Sequence, residues 1–343
     1  MLWLVGVDEA GYGPNLGPLV IGATAWRLDP AGVDPGDTPD AESVDLYDLL
    51  GGAVARTAGA GRIAVADSKR LYKPGGGLAA LELAVLAAIG QSSGQADAPA
   101  RDDPTTKRPQ PVLCWPVSCW DDAITRLGAD ADNRRRELPW HQGYNPTLPR
   151  DASIEDVAAA AAQLASARQS AGVGPPVLAG RMVFPAEFNA LVARYGTKGA
   201  ALSHVTISLL RRVLDQTGGP ARVVLDKHGG RNRYAAILQH HFPEHWIETH
   251  AEGRAASRYA WGEDRGRVTA DFCTGGEAFL PTALASMTAK LLRELAMAAL
   301  NAYWQAQAPG LRPTAGYPVD ARRFRGDIAR RQAELGIPDA MLW

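Results

Sequence analysis

The sequence predicts an α/β protein, and three observations point to that class. Two apolar runs, LWLVGVD from residue 2 and ARVVLD from residue 221, have strand composition, and each ends in an acid beside a glycine-containing turn. Helix-forming stretches stand between and after them, the longest being PTALASMTAKLLRELAMAALNAYW at 281–304. At 343 residues, 46% of them hydrophobic, the chain can bury a substantial core as one large domain or two smaller ones.

Taken in order, LWLVGVD leads through the turn GYGPNLGP into PLVIGATAWRL, a pattern that predicts a hairpin. Side chains on a strand alternate between faces, so Asp8 and Glu9 can serve one site only if the strand stops or kinks there. Gly11 and Gly13 make such a kink possible. Residues 29–43, rich in Pro, Asp and Gly, predict a surface loop, and helical patterning returns at 46–58. RIAVADSKRL (62–71) then precedes a helix over 78–89. Residues 90–111 lack the apolar periodicity of a packed element and read as a loop or linker that tolerates shortening. PVLCWPVS (111–118) reads as a short strand, 120–150 as irregular, and SIEDVAAAAAQLASAR as a helix with Ser153 as its N-cap. Residues 90–176 are therefore an insertion within a single domain spanning 1–343. VLAGRMVF (177–184) is strand-like, and helices follow at 186–194 and 200–216. Beyond them comes ARVVLD with its turn KHGGRN, and in the late helix Lys290 and Glu294 lie one turn apart.

Composition narrows the function classes. No stretch approaches the roughly 20 consecutive apolar residues of a membrane span, and the first residues lack a secretory pattern. We expect a cytoplasmic monomer with no membrane partner. Cys114, Cys119 and Cys273 lack zinc-type pairing and are read as reduced thiols in packing roles. Lys and Arg total 36 against 37 Asp and Glu, so net charge gives no sign of a nucleic-acid partner. Arg134 to Arg136, and Arg322, Arg323, Arg325, Arg330 and Arg331, suit either phosphate contact or a solvated helix face; the solvated face is the reading preferred from charge alone.

If the ends of LWLVGVD and ARVVLD lie side by side under the late helix, Asp8, Glu9, Asp226 and Glu294 converge. Clustered carboxylates repel one another, and proteins answer with a raised pKa, a cationic neighbour or a divalent metal. Oxygen ligands suit magnesium or manganese, and two such ions about 3.5 to 4 Å apart can promote phosphodiester cleavage. The other reading is four unrelated acids at turns and helix surfaces, and spacing alone leaves both open. GYGPNLG has the wrong spacing for a dinucleotide-binding loop, and no G-x-x-x-x-G-K-[ST] phosphate loop occurs. His228, beside Asp226, is read as a solvated turn histidine in preference to an acid–base group.

Motif wording goes further. GVDEAGYGPNLGP (6–18) resembles the Asp-Glu-Ala-Gly-Arg-Gly opening of the type 2 ribonucleases H, including the later Gly-Pro. ADSKRL (66–71) is similar to that family's Asp-Ser-Lys-Lys-Leu, and ARVVLD to the strand carrying its third acid. ALASMTAKLLRE (283–294) resembles the helix Ala-Ala-Ala-Ser-Ile-Val-Ala-Lys-Val-Thr-Arg-Asp at Ser286, Ala289, Lys290 and Arg293, with its final acid falling on Glu294. AGYPVDARRF (315–324) is similar to a Gly-Tyr segment that places a substrate-reading tyrosine, here Tyr317. The five motifs stand in family order along nearly the whole chain outside the insertion.

The resemblance implies a ribonuclease H-like fold, a mixed central sheet flanked by helices, with an inserted segment. It implies a metal-dependent endonuclease that cleaves RNA or embedded ribonucleotides in RNA/DNA duplexes, leaving a 3′-hydroxyl and a 5′-phosphate. Asp8, Glu9, Asp226 and Glu294 would be catalytic and would hold two Mg2+ or Mn2+ ions. Gly11, Tyr12 and Gly13 would lie on the substrate, their backbone reading the ribose 2′-hydroxyl, while Lys69 approaches phosphate and Tyr317 packs on the sugar. Three positions depart from the pattern: Tyr12 replaces arginine, Glu294 replaces aspartate as in type 3 ribonucleases H, and Asp226 precedes Lys-His-Gly-Gly. A structure-selective DNA nuclease with the same acids, and a non-catalytic duplex-binding protein, are the alternatives.

Overall fold

Leu2–Ala10 (β1) and Leu19–Leu28 (β2) pair antiparallel without a register break, which is the expected hairpin. The computed structural model describes residues 1–29, 44–59, 61–73, 75–92 and 117–342. Val177–Val183 (β3) adds antiparallel to β2, and Ala221–Asp226 (β4) adds parallel to the other edge of β1. Glu248–Glu252 (β5), Ala256–Trp261 (β6) and Val268–Cys273 (β7) complete a seven-stranded mixed sheet in the order β3-β2-β1-β4-β7-β6-β5. β1 is thus interior, which explains why its sequence is almost continuously apolar up to Asp8.

Alternation along β1 divides two cores. Leu2 and Leu4 face one layer with the helices Ala79–Ile89 (α1), Trp120–Leu127 (α2), Ile154–Ser170 (α3) and Leu280–Gln307. Trp3, Val5 and Val7 face the other, formed with Lys198–Thr217 and Ala235–His241. Continuing the chain order, Pro185–Tyr195 is α4, Lys198–Thr217 α5, Ala235–His241 α6, Leu280–Gln307 α7 and Pro318–Glu334 α8. The mixed sheet between helical layers matches the fold class expected from sequence. Among the described residues no helix is long and apolar enough to cross a membrane.

Helix α7 lies directly on the sheet backbone. A Cβ at Gly6 would collide with the main chain of Pro281 and Thr282, and one at Gly22 with the carbonyl of Ala285. The same approach is secured by Thr24 Oγ1 donating to the Pro281 carbonyl at 2.8 Å and Thr282 Oγ1 to the Val224 carbonyl at 2.9 Å.

Several local expectations are corrected. Helical patterning at 46–58 yields only a one-turn helix, Leu46–Leu49, because Gly51 and Gly52 follow and the chain then enters a short strand at Val54–Ala55. The stretch 120–150, read as irregular, contains α2, whose end is closed by Gly128 at φ +54°. Ser153 does cap α3, its Oγ accepting from the Asp156 amide at 2.9 Å. Most of the loops expected at 29–43 and 90–111, and Cys114, lie outside the described residues. Cys119 and Cys273 are unpaired and only partly buried.

Candidate functional site

The site is built where β1 and β4 run out. Contrary to the expected stop or kink, β1 continues through Asp8 and Glu9 to Ala10, still paired with β2 as Asp8↔Gly22 and Glu9↔Ile21. Its pairing with β4 ends earlier, at Val7↔Leu225. Past that pair the edge of β1 has no neighbouring strand, which opens space beside the two acids. Asp8 points to the α7 face, where Ser286 hydrogen-bonds its carboxyl, and one Asp8 oxygen also accepts the Glu9 amide at 2.8 Å. Glu9 leaves from the opposite face, yet its carboxyl still meets that of Asp8.

The electrostatics show which groups converge. Burial drives the Asp8 carboxyl well above the ordinary aspartate range, with Glu9 and then Asp226 adding repulsion that the Ser286 bond only partly offsets. Burial first, and repulsion from Asp226 second, push Glu9 up to about 7. Glu277, just after β7 in the turn TGGE, belongs to the same group: burial and Asp226 raise its carboxyl, and it in turn raises that of Glu9. Lys69 is the cation of the cluster. Burial works against its charge, but Asp67, Asp8, Glu277 and Asp226 outweigh it and hold the ammonium above its usual value.

Asp8, Glu9 and Asp226, three of the four expected acids, therefore act on one another, and Glu294 is held by other partners. It lies two helical turns beyond Ser286 on α7, and both of its oxygens are engaged: Oε2 accepts from Tyr72 Oη at 2.7 Å, Oε1 from Lys290 Nζ at 2.6 Å. The fourth acid in electrostatic reach of Asp226 and Glu9 is Glu277, which the sequence reading missed. The available signal was a third strand ending beside a glycine turn and an acid, VTADFCTGGE, the pattern already noted at Asp8 and Asp226.

The ADSKRL motif joins the site through Ser68, whose Oγ lies 3.1 Å from that of Ser286. Asp67 caps the one-turn helix Ser68–Leu71 by accepting from the Lys69 amide at 2.9 Å, which fixes where the lysine leaves the backbone.

Beside the acids, Arg293 organises the opening turn. It is 3% exposed, and its Nη2 donates to the Leu16 carbonyl at 2.9 Å and the Ala315 carbonyl at 3.4 Å. The Asn15 amide reaches the Gly316 carbonyl at 2.7 Å, so the glycine turn and the start of AGYPVDARRF are stitched together. Gly11 sits at φ +97°, where a Cβ would strike the Pro18 carbonyl and the Arg293 side chain, whereas Gly13 has open space around it. Tyr317, 52% exposed, precedes α8 in this neighbourhood. Tyr12 leans on the α5 layer, and its hydroxyl approaches Gly199.

Two residues differ from the sequence reading. His228 is not solvated but 3% exposed: its Nδ1 lies 2.9 Å from Ser203 Oγ, and burial lowers its pKa to about 3. It folds inward because the KHGGRN turn is pinned by Lys227, which donates to Asn232 Oδ1 at 2.8 Å and to the Gly253 carbonyl. Arg135 is likewise buried, paired with Asp121 at 2.6 Å. The C-terminal arginines fit the solvated face: Arg323, Arg325, Arg330 and Arg331 pair with acids on or beside α8.

The donor set suits a hard divalent cation, being all carboxylate oxygen and short of positive charge. No three of the described acids bring their oxygens within 4.8 Å of one another.

No protein-family model and no curated protein matches the chain. Among solved structures it is similar to a chain in the PCNA:RNase HII complex from Archaeoglobus fulgidus, at 14% identity and TM-score 0.40, over 99% of this chain and 92% of that one. It is also similar to the ribonuclease H2 from Pyrococcus horikoshii OT3, at 14% identity and TM-score 0.43, with the same coverage. These scores are too low to carry residue roles, which rest on the geometry above.

Proposed function

We propose that the chain is a divergent type 2 ribonuclease H, a metal-dependent endonuclease acting on RNA/DNA hybrids or duplexes with embedded ribonucleotides. The observation that carries this reading is the convergence of Asp8, Glu9, Asp226 and Glu277 from the ends of three adjacent strands around Lys69. Such a group of carboxylates is stable as anions only with added positive charge, and two Mg2+ or Mn2+ ions would be held by these four side chains. When bound, the ions supply a water nucleophile at neutral pH and stabilise the leaving oxygen, giving a 3′-hydroxyl and a 5′-phosphate.

The chain's own residues do the rest. Ser286 favours the ionised form of Asp8 against the effect of burial, and Ser68 links that hydroxyl to the helix carrying Lys69. Lys69, exposed and charged beside the acids, attracts a scissile phosphate. The opening turn, braced by Arg293, presents the backbone of Gly11 and Gly13 to a ribose 2′-hydroxyl, a contact that reads sugar and ignores base identity. Tyr317 offers an exposed ring next to that turn for the sugar of the following nucleotide.

The test compares cleavage of all-DNA, hybrid and single-ribonucleotide duplexes with Mg2+, Mn2+ or chelator. Metal-dependent cleavage confined to ribose-containing duplexes is expected, and Asp8→Asn and Asp226→Asn should each remove it while leaving the fold intact. Equal cleavage of all-DNA duplex would favour a structure-selective DNA nuclease, and binding without cleavage a duplex-binding protein.

A further inference from the structure

On the opposite side of the sheet from α7, three histidines crowd together. His204 comes from α5, and His240 and His241 from the end of α6, with one ligating nitrogen of each lying within 4.8 Å of the others. We propose that His204, His240 and His241 form a Zn2+ site, separate from the carboxylate cluster, that ties α6 to α5. This proposal does not depend on the function proposed above.

Geometry supports it in two ways. His204 Nδ1 and His241 Nε2 stand 3.1 Å apart. With Zn–N bonds of about 2.0 to 2.1 Å and tetrahedral angles, two ligating nitrogens lie about 3.3 Å apart, so only a few tenths of an ångström separate the observed pair from a ligand pair. The ring centroids of the three histidines are 5.2, 5.3 and 5.0 Å apart. Three imidazoles on one tetrahedral ion, each centroid about 3.2 Å from the metal, have centroids about 5.2 Å apart. A pair joined only by a hydrogen bond would not require the third ring at that spacing.

The surroundings support a ligand role. Tyr195 stacks on His204 with centroids 3.7 Å apart and planes inclined by 11°, which fixes that ring's orientation. His204 and His241 also line a cavity of about 350 Å³, which leaves room for a water as fourth ligand. Arg194, Arg211 and Arg231 act on these rings and oppose a dication, although Arg211 is itself paired with Glu244 at 2.6 Å and Asp215 at 2.8 Å. Imidazole donors select Zn2+ over Mg2+, so the two sites should sort by metal.

The test is equilibrium dialysis of the chelator-treated full chain against Zn2+ in saturating Mg2+, with Co2+ as a spectroscopic substitute. One equivalent of Zn2+ per chain and the visible absorption of four-coordinate Co2+ are expected. Both should persist in Asp8→Asn, which keeps this site distinct from the acids. Zn2+ affinity should fall at least about tenfold in His204→Ala, His241→Ala and the exposed-position variant His240→Ala, and stay unchanged in His250→Ala. Zn2+ should also raise the melting temperature of the parent and not that of His240→Ala, a readout that survives if the two more buried variants fold poorly. Less than half an equivalent bound in Mg2+, or parent affinity in His240→Ala, would overturn the proposal.

Discussion

The hydroxyls of Ser68 and Ser286 lie 3.1 Å apart, and Ser286 also hydrogen-bonds the Asp8 carboxyl. A motif in the loop before α1, the long helix α7 and the first acid of β1 are thus linked through one side chain. Because that bond favours ionised Asp8, Ser286→Ala should raise the Asp8 pKa further. Cleavage should therefore fall more at pH 6 than at pH 8, with a stability loss of about 1 kcal/mol. Ser68→Ala, which leaves the Asp8 bond in place, should not shift the profile. Rate measurements across pH on both variants separate the two contributions.

Glu9 yields a stability prediction for the metal-free protein. Its carboxyl goes from 4.5 in the unfolded chain to about 7 when folded, so the folded chain holds the proton more tightly. That contribution to stability is present below 4.5 and is lost as pH rises through about 7. Glu9→Gln should abolish the loss, which amounts to at most about 3 kcal/mol, and make the metal-free chain more stable than the parent at pH 8. Urea unfolding in chelator at pH 5 and pH 8 measures it; a parent at least as stable at pH 8 as the variant would contradict the assignment.

Glu277 and Glu294 should behave oppositely. Glu277→Gln is expected to lower metal-dependent cleavage at least about 100-fold, on the order of 3 kcal/mol of barrier, with a normal melting temperature. Glu294→Gln removes the charge facing Lys290 and should cost about 1 to 2 kcal/mol of stability while keeping most turnover. The reverse pattern would return the fourth-ligand role to Glu294.

At Tyr12 the side chain leans on α5 while the glycine turn is braced from the other side by Arg293. Tyr12→Arg should add one phosphate contact and steepen the log–log salt dependence of duplex binding by about 0.7 to 0.9. Tyr12→Ala should still prefer ribose-containing duplex over all-DNA. Binding across a salt series, beside cleavage of both duplexes, checks the two statements independently.

The strands carrying Asp8 and Asp226 were legible because both are interior and their sequences are apolar almost without interruption up to those acids. Helix α7 was legible for the same reason of composition and length. The strands at Glu248–Glu252, Ala256–Trp261 and Val268–Cys273 were not picked out, since they approach the sheet edge and carry charged residues such as Glu248, Arg258 and Asp271 among their apolar ones. Losing β7 meant losing Glu277, which has meaning only as the acid following that strand. The surroundings of Glu294 were only half legible: helical periodicity says that it stacks over Lys290, but not that Tyr72, 222 positions away in sequence, takes its other oxygen.

The bare contact of α7 with Gly6 and Gly22 also governs how the site responds to heat and pressure. Where two elements meet through interdigitated side chains, rotamer changes let them drift by fractions of an ångström before anything unfolds. Main chain against main chain offers no such play. The separation of Ser286 from Asp8 is accordingly set by the contact distance between two main chains, and warming should leave it nearly constant until the sheet and helix part together in one cooperative step.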